Sequence, residues 1–210
     1  MRSVSIIGAI ALLTACGPMN KGGLGNQLAS AIQARTSGDA APAPTAPALP
    51  SVIAGNVLLT TLTGKDATAP LTRAQTRGRT TTWISPGDVT LALEDGILVG
   101  TRGLGNDLMG ADIAGVRAAI TRGSGSNTRV HSYLDSQDNI TSITLTCTVT
   151  RVGPEQVTLA AGPRTLTRTD ELCKSAQLVF TNSYWTAGEN IVKSKQAISP
   201  SEGFMIAEAL

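Results

Sequence analysis

The chain has 210 residues with 17 basic and 15 acidic side chains, which gives a formal net charge of +2. Because this balance is near neutral and the basic residues are scattered, nucleic acid is excluded as an expected partner. The length suits one domain and is too short for two of ordinary size. Plentiful Thr, Val, Ile and Leu with 22 Gly favour β structure over helix.

The first sixteen residues predict a lipoprotein signal peptide. Arg2 precedes an apolar block over residues 4–15, which is shorter than the roughly 20 residues of a membrane-spanning helix. The block ends in LTAC, residues 13–16, which resembles the bacterial lipobox. We therefore expect residues 1–15 to be removed and Cys16 to carry lipid. The alternatives are a plain secretory signal with an incidental cysteine, or an N-terminal core helix.

The residue after the lipidated cysteine bears on the membrane that holds the protein. Gly17 stands where enterobacterial lipoproteins of the inner membrane have Asp. The lipobox therefore implies a lipid-anchored protein of the cell outer membrane, with its folded domain in the periplasm.

Residues 16–51 are predicted to be a flexible tether between the lipid anchor and the folded part. Gly residues open this segment, and Ala and Pro alternate over residues 40–50. Such alternation forms neither helix nor ladder and favours an extended spacer. A weak helical spacing lies between these stretches, over residues 28–34. Residues 52–210 are expected to form a single β-domain.

The first part of that domain reads as strands followed by a short helix. Residues 57–62, VLLTTL, and 80–84, TTTWI, are strand-like runs. Residues 89–102 alternate around Asp95-Gly96, a turn pair that accepts positive φ, and predict a β-hairpin. Apolar residues then fall at helical spacing, which predicts a short helix near residues 112–121.

The second part returns to strands. Residues 123–127, GSGSN, predict a flexible loop, and residues 129–134 and 140–151 predict strands around a polar turn. Apolar and Thr residues alternate in the latter strand, which is typical of one buried face. Glycine-proline pairs at 153–154 and 162–163 are expected to punctuate two further strands.

The C-terminal region predicts another hairpin. Its strands cover residues 177–186 and 190–198, and residues 204–210 form either a last strand or a helical turn. About ten short strands predict an all-β fold, a large antiparallel and mostly up-and-down sheet. A sheet of that size curls into a half-barrel or barrel, accompanied here by one or two short helices.

The remaining cysteines form a single pair. Cys147 and Cys173 are the only ones after Cys16. In an oxidising envelope such a pair predicts a disulfide, which would close a loop of about 25 residues. Two unpaired buried thiols are the alternative.

Two segments resemble the YjbF/GfcB family of group 4 capsule lipoproteins. The first runs from Trp83 through the hairpin to the stretch GTRGLGNDL, residues 100–108. The second is NSYW, residues 182–185, followed by KSKQAISP, residues 193–200. The usual family member has Trp where this chain has Lys193, and the cysteine pair is an addition to the family pattern.

The resemblance covers roughly residues 52–210 together with the lipobox. It implies an outer-membrane lipoprotein of an exopolysaccharide or capsule locus, with a curled all-β sheet. It further implies assistance to polysaccharide assembly or export beside a porin-like exporter. No catalytic residues come with the family, so none is assigned.

The residues themselves offer no catalytic or metal-binding constellation. His131 is the only histidine and is expected to lie at the surface or to pack. Asp135 and Asp138 belong to a predicted turn, and Gly100, Gly103 and Gly105 are expected to let the chain leave the sheet. We therefore expect no enzyme activity, cofactor or metal.

Five residues of the two family-like segments are candidates for contact with a glycan or partner. The rings of Trp83, Tyr184 and Trp185 could stack on sugars, or could fill the core. Arg102 and Asp107 flank the glycine-rich exit from the hairpin, where they would form an ion pair or be solvated.

Two functions therefore remain open. One is a non-catalytic accessory that contacts the polysaccharide exporter, another capsule-locus protein or the polysaccharide. The other is a carrier of a lipid or lipid-linked intermediate in a half-barrel cavity, against which a filled interior would count.

Overall fold

The computed structural model describes residues 55–210. The predicted signal peptide (residues 1–15), Cys16, the tether (residues 16–51) and its weak helical spacing lie outside the described residues. They remain predictions from the sequence, as does the boundary of the β-domain at residue 52.

Twelve antiparallel strands and one short helix make up the described residues. In chain order they are β1 (Val57–Leu62), β2 (Ala67–Arg77), β3 (Thr80–Ile84), β4 (Thr90–Glu94), β5 (Ile97–Arg102), β6 (Gly110–Asp112), α1 (Val116–Arg122), β7 (Ser124–Leu134), β8 (Ile140–Leu159), β9 (Gly162–Lys174), β10 (Val179–Ala187), β11 (Asn190–Ser199) and β12 (Gly203–Ala209). Within residues 55–210, no helix has the length and apolarity to cross a membrane.

All twelve strands belong to one sheet with the order β5-β4-β3-β2-β1-β12-β11-β10-β9-β8-β7-β6. Neighbours in space are neighbours in the chain, except that β1 pairs with β12, the first and last strands of the described residues. The outer strands β5 and β6 approach each other, and Thr101 N donates to Leu108 O at 2.9 Å. The sheet is thus a nearly closed barrel. The predicted all-β, up-and-down, curled fold is confirmed.

The barrel has two ends, which the path of the chain defines. The proximal end carries Gly55 and Leu210, whose backbones are hydrogen-bonded, together with helix α1. The distal end carries the turns that follow β1, β3, β5, β7, β9 and β11.

Side chains fill the inner face of the sheet. Leu91, Leu98, Leu108, Ile198 and Met205 are at most 1% exposed and belong to one core cluster. In β8, the inward Leu145, Cys147 and Val149 alternate with exposed Thr residues, as the sequence pattern predicts.

The turn chemistry explains where several strands reverse. In the β4–β5 hairpin, Asp95 and Gly96 have φ of 47° and 84°, which confirms the predicted turn. At the distal end, a Cβ on Gly64 would lie 2.5 Å from Glu202 O, so only glycine lets the β1–β2 and β11–β12 turns pack together.

Two predictions about strand limits are wrong. Residues 123–127 are not a flexible loop, because β7 begins at Ser124 and its pairing with β8 extends to Ser124 opposite Thr150. The Gly153-Pro154 pair does not end β8, because the β8–β9 pairing passes it with a register shift between Arg151 and Gly153. In both places a long neighbouring strand supplies backbone partners that local composition does not reveal. Strands β2 and β6 were not predicted, and residues 203–209 form a strand.

The far end of the long β8–β9 hairpin folds over the outer face of β10–β12. Val157, Leu159 and Leu166 form a small buried cluster against Trp185 and neighbouring apolar residues. Two polar contacts fix the hairpin there. Ala160 N donates to Glu208 Oε1 at 2.6 Å, and Lys193 Nζ donates to Thr158 O at 3.4 Å.

A disulfide joins β8 to β9. Cys147 and Cys173 lie directly opposite each other in the ladder and are completely buried, and their sulfurs are bonded. The predicted bridge is confirmed. Its position on the inner face, beside Leu145, places it within the core of the barrel.

Removal of the disulfide should destabilise the barrel without changing its fold. We expect the double variant Cys147→Ala/Cys173→Ala to lose about 3 kcal/mol of unfolding free energy, because the unfolded chain gains the entropy of an open loop. Urea denaturation followed by circular dichroism measures this loss.

A thiol titration supplies the control. In the Cys16→Ala chain, purified from an oxidising compartment and denatured, no thiol should react until a reductant is added. Two thiols should then react. Two reactive thiols before reduction would contradict the bridge.

Candidate functional site

A hydrogen-bonded group of polar side chains occupies the interior of the barrel. This inner polar cluster consists of Asn127, Arg129, Glu171, Asn182, Tyr184 and Gln196. At its centre Arg129 Nε donates to Glu171 Oε1 at 3.0 Å, and both residues are at most 1% exposed. An ion pair this deeply buried survives only when its other polar atoms also have partners.

Those partners are present around the carboxylate. Glu171 accepts hydrogen bonds from Asn127 Nδ2, Asn182 Nδ2 and Tyr184 OH, each at 3.0 Å. The same phenol oxygen accepts a hydrogen bond from Arg129 Nη2 at 2.9 Å. Strands β7, β9 and β10 are therefore connected by one polar cluster.

The cluster also connects opposite walls of the barrel. Gln196 on β11 accepts a hydrogen bond from Leu98 N at 2.8 Å and donates one to Gly96 O at 2.9 Å. Both backbone groups belong to the β4–β5 hairpin, across the interior from β11. The side-chain amide of Gln196 thus links β11 to the β4–β5 hairpin through the interior of the barrel.

The cluster fixes the charge states of its members. Burial alone would raise the pKa of Glu171, but Arg129 and the hydrogen-bond donors hold that pKa below its ordinary value. Burial also raises the pKa of Tyr184, which stays protonated. The cluster is thus a neutral assembly of one cation, one anion and neutral groups.

The only histidine packs beside this cluster. His131 is 1% exposed and its ring stacks on Phe180 with centroids 5.5 Å apart. Its Nδ1 lies 3.1 Å from Tyr133 OH, which donates to Ile198 O at 2.9 Å, so Nδ1 carries the proton. Burial, reinforced by the Arg129 charge, lowers the pKa of His131 to about 4.

Two of the predicted contact residues organise the chain where it leaves β5. Asp107 accepts hydrogen bonds from Thr101 Oγ1 at 2.7 Å and Gly103 N at 3.0 Å. The guanidinium of Arg102 donates to the backbone oxygens of Leu108 and Met109. Among the ion pairs of residues 55–210, none joins Arg102 to Asp107. Gly103 and Gly105 have positive φ here, as expected, whereas Gly100 lies within β5.

The three aromatic side chains predicted as contact residues are buried or partly buried. Tyr184 is completely buried in the inner polar cluster, and Trp83 is 7% exposed with Arg73 over its ring at 5.6 Å. Trp185 lies on the outer face, under the folded β8–β9 hairpin and between Arg168 and Lys193. Tyr184 therefore has no face free for a sugar, whereas Trp83 also lines a cavity at the proximal end and Trp185 is partly exposed.

Three side chains of types that can bind a metal lie close together at one place in the described part of the chain. The ligand atoms of Cys147, Glu171 and Cys173 lie within 4.8 Å of one another. The two sulfurs are bonded to each other and the carboxylate is fully used by hydrogen bonds. This group therefore cannot hold a metal while the disulfide is intact.

A large open cleft lies at the distal end. This distal cleft consists of two adjoining cavities of about 560 and 320 Å³ that share Tyr133, Ser199 and Pro200. The larger is bounded by the loop that follows β5 (residues 103–109, the exit loop), the β7–β8 turn and the turn after β11. The exit loop and the β11–β12 turn are joined by a 2.8 Å hydrogen bond from Asn106 Nδ2 to Ser201 Oγ.

The cleft has a mixed lining. Met109, Ile143 and Pro200 contribute apolar surface to the larger cavity, and Asn106, Thr141 and Ser201 contribute amide and hydroxyl groups. Both family-like segments of the sequence reach it, one through residues 105–107 and the other through residues 199–200. Sequence reasoning did not identify this cleft, because its parts come from separate turns.

The sequence matches one protein family over most of its length. The family YjbF, described as group 4 capsule polysaccharide lipoprotein gfcB, matches residues 26–210. The chain belongs to this family. The resemblance drawn from the two motifs is therefore confirmed, and the chain is a member of a capsule-associated lipoprotein family.

One solved structure has a similar fold. The hypothetical lipoprotein YmcC from Escherichia coli K12 shares 16% identity and a TM-score of 0.62, covering 72% of this chain and 81% of that one. An exported protein with a YmcC-like fold from Bacteroides fragilis shares 11% identity and a TM-score of 0.30, covering 73% and 92%. No curated protein matches this YjbF-family chain in sequence.

Loss of the buried negative charge should strongly destabilise the barrel. We expect Glu171→Gln to lower the unfolding free energy by about 3–5 kcal/mol, because Arg129 would remain buried without a counter-ion. Urea denaturation measures this change. Asp170→Asn, which makes the same change at the neighbouring half-exposed pair with Arg168, should cost less than about 1 kcal/mol. Equal losses in the two variants would refute the role given to the buried pair.

Stability should fall as the pH falls from about 6.5 towards 4. The folded state resists protonation of His131, whereas the unfolded chain binds that proton at the ordinary pKa of 6.5. We expect up to about 3 kcal/mol to be lost across this window. His131→Phe should lose much less over the same window, as measured by urea denaturation at each pH. Parallel pH curves for the two proteins would contradict this assignment.

Proposed function

We propose that this chain is a lipid-anchored, non-catalytic accessory of the outer membrane that assists the assembly or export of exopolysaccharide or capsule. Family membership over residues 26–210 is the observation that carries this proposal. The predicted anchor at Cys16 and the spacer over residues 16–51 support it, since they would leave the folded barrel free to contact partners in the periplasm.

A non-catalytic role accords with the state of the titratable groups. His131, Glu171 and Tyr184, whose pKa values are shifted, are all buried within the barrel. The pKa of His131 is lowered to about 4 and its ring is 1% exposed, so it cannot exchange a proton with an external substrate at neutral pH. Both oxygens of the Glu171 carboxylate already accept hydrogen bonds from other residues of the inner polar cluster.

The interior of the barrel gives no support to the alternative carrier function. An acyl chain would need an open apolar cavity, but Leu91, Leu98 and Ile198 fill the inner face and the inner polar cluster occupies the level beside them. The described openings lie at the ends of the barrel and have mixed linings. The accessory function therefore remains the better supported of the two.

The function can be tested by deleting the gene for this chain in the cell that encodes it. We expect the deletion to lower the amount of secreted polysaccharide, and the wild-type chain to restore it. The Cys16→Ala chain should restore less, because the unlipidated barrel would no longer be held at the membrane. Immunoblots of membrane and soluble fractions should show this variant released from the membrane.

Acyl labelling and matched expression levels provide the controls. The wild-type chain should incorporate labelled fatty acid and the Cys16→Ala chain should not. Normal polysaccharide output and chain length in the deletion strain would refute the accessory function. Unchanged acyl labelling of the Cys16→Ala chain would refute the lipid anchor alone.

A further inference from the structure

We propose that the distal cleft binds an uncharged stretch of the polysaccharide chain that this protein helps to assemble or export. The inference rests on the proposed function and assigns it a site and a chemical class of ligand. It depends on four features of the cleft: its shape, its mixed lining, its charge and its rigid walls.

The shape of the cleft suits an extended ligand. Its two cavities, of about 560 and 320 Å³, meet at the segment Ser199–Pro200, and Tyr133 lines both. Each volume falls within or close to the range of about 300–1,000 Å³ that is usual for small-molecule sites. Because the cavities adjoin along one wall, consecutive units of a chain can occupy them together.

The lining suits sugar rings. A pyranose presents patches of C–H bonds on its faces and hydroxyl groups at its edges. The larger cavity offers apolar surface from Met109, Ile143 and Pro200, and amide and hydroxyl groups from Asn106 and Ser201. The smaller cavity adds the rings of Phe180 and Phe204. A purely hydrophobic ligand would leave the polar groups without partners, which disfavours it.

The charge of the larger cavity selects against anionic polymers. Its lining residues include Asp107, Asp135 and Asp138, and none of them is Lys or Arg. Asp135 accepts hydrogen bonds from the backbone N–H groups of Gln137 and Asn139, which hold its pKa below the ordinary value. The turn therefore keeps its negative charge near neutral pH, and a neutral glycan avoids repulsion that a uronic acid or phosphate would meet.

The walls of the cleft are fixed before any ligand binds. Tyr133 OH donates to Ile198 O at 2.9 Å, which ties β7 to the end of β11. Asn106 is joined to Ser201, and Lys65 forms a 3.1 Å ion pair with Glu202 in the same turn. Such preorganisation lowers the entropic cost of binding, which matters for weak polar ligands.

Two threonines of the same strand allow a matched test. Thr141 and Thr148 are both exposed in β8, but Thr141 lines the cleft whereas Thr148 lies on the outer face. The probe is a set of short oligosaccharides cut from the polysaccharide that the encoding cell secretes. Isothermal titration calorimetry with the full-length mature chain should detect binding. Thr141→Trp should weaken the affinity by about tenfold or more because indole fills the cavity. Thr148→Trp should leave it unchanged.

The outcomes separate this inference from the proposed function. Equal affinity in the two Trp variants, or no binding by the wild-type chain, would overturn the glycan site even where deletion lowers polysaccharide output. In that case loss of output in the Thr141→Trp strain would mark the cleft as a surface for a protein partner. Affinity should change by less than about twofold between low and high salt. A strong fall at high salt would overturn the assignment of an uncharged ligand.

Discussion

The buried ion pair between Arg129 and Glu171 is the interaction on which the arrangement of the barrel depends. Burying either charge without the other would cost several kcal/mol of desolvation free energy, and each group needs further hydrogen-bond partners. Those partners come from Asn127 on β7 and from Asn182 and Tyr184 on β10. The pair therefore fixes the relative positions of strands that are distant in sequence. A shift of one residue in any of these strands would turn its polar side chain outward and leave a buried charge unsatisfied.

The two family-like segments of the sequence contribute chiefly to this construction. Asn182, Tyr184 and Gln196 belong to the inner polar cluster, and Asp107 organises the loop that leaves β5. The same segments then continue into turns at the distal end. One set of residues thus closes the barrel, and its immediate neighbours form the cleft. Such a division is common, since rigid strands position loops that carry the binding groups.

Local pattern predicted much of the fold but little of the site. The alternation in β8 and the Asp95-Gly96 turn are local signals, and both were read correctly. Residues 123–127 look like a loop because Gly and Ser favour one, yet pairing with β8 makes them part of a strand. Arg129 and Glu171 occupy inward positions of alternating strands, which was the one available signal of a buried charge pair. Their partnership was not predictable, because 42 residues separate them in the chain.

By itself the sequence determined the class of fold and the family, because turn residues, alternation and motif spacing are properties of neighbouring residues. It also predicted the disulfide, because Cys147 and Cys173 are the only cysteines after Cys16. Only the tertiary structure decided that Tyr184 is buried, that Trp185 lies beneath the β8–β9 hairpin and that a cleft forms at the distal end. These features require contacts between segments far apart in the chain. Closure of the barrel brings those segments together, and no local pattern records which side chains then meet.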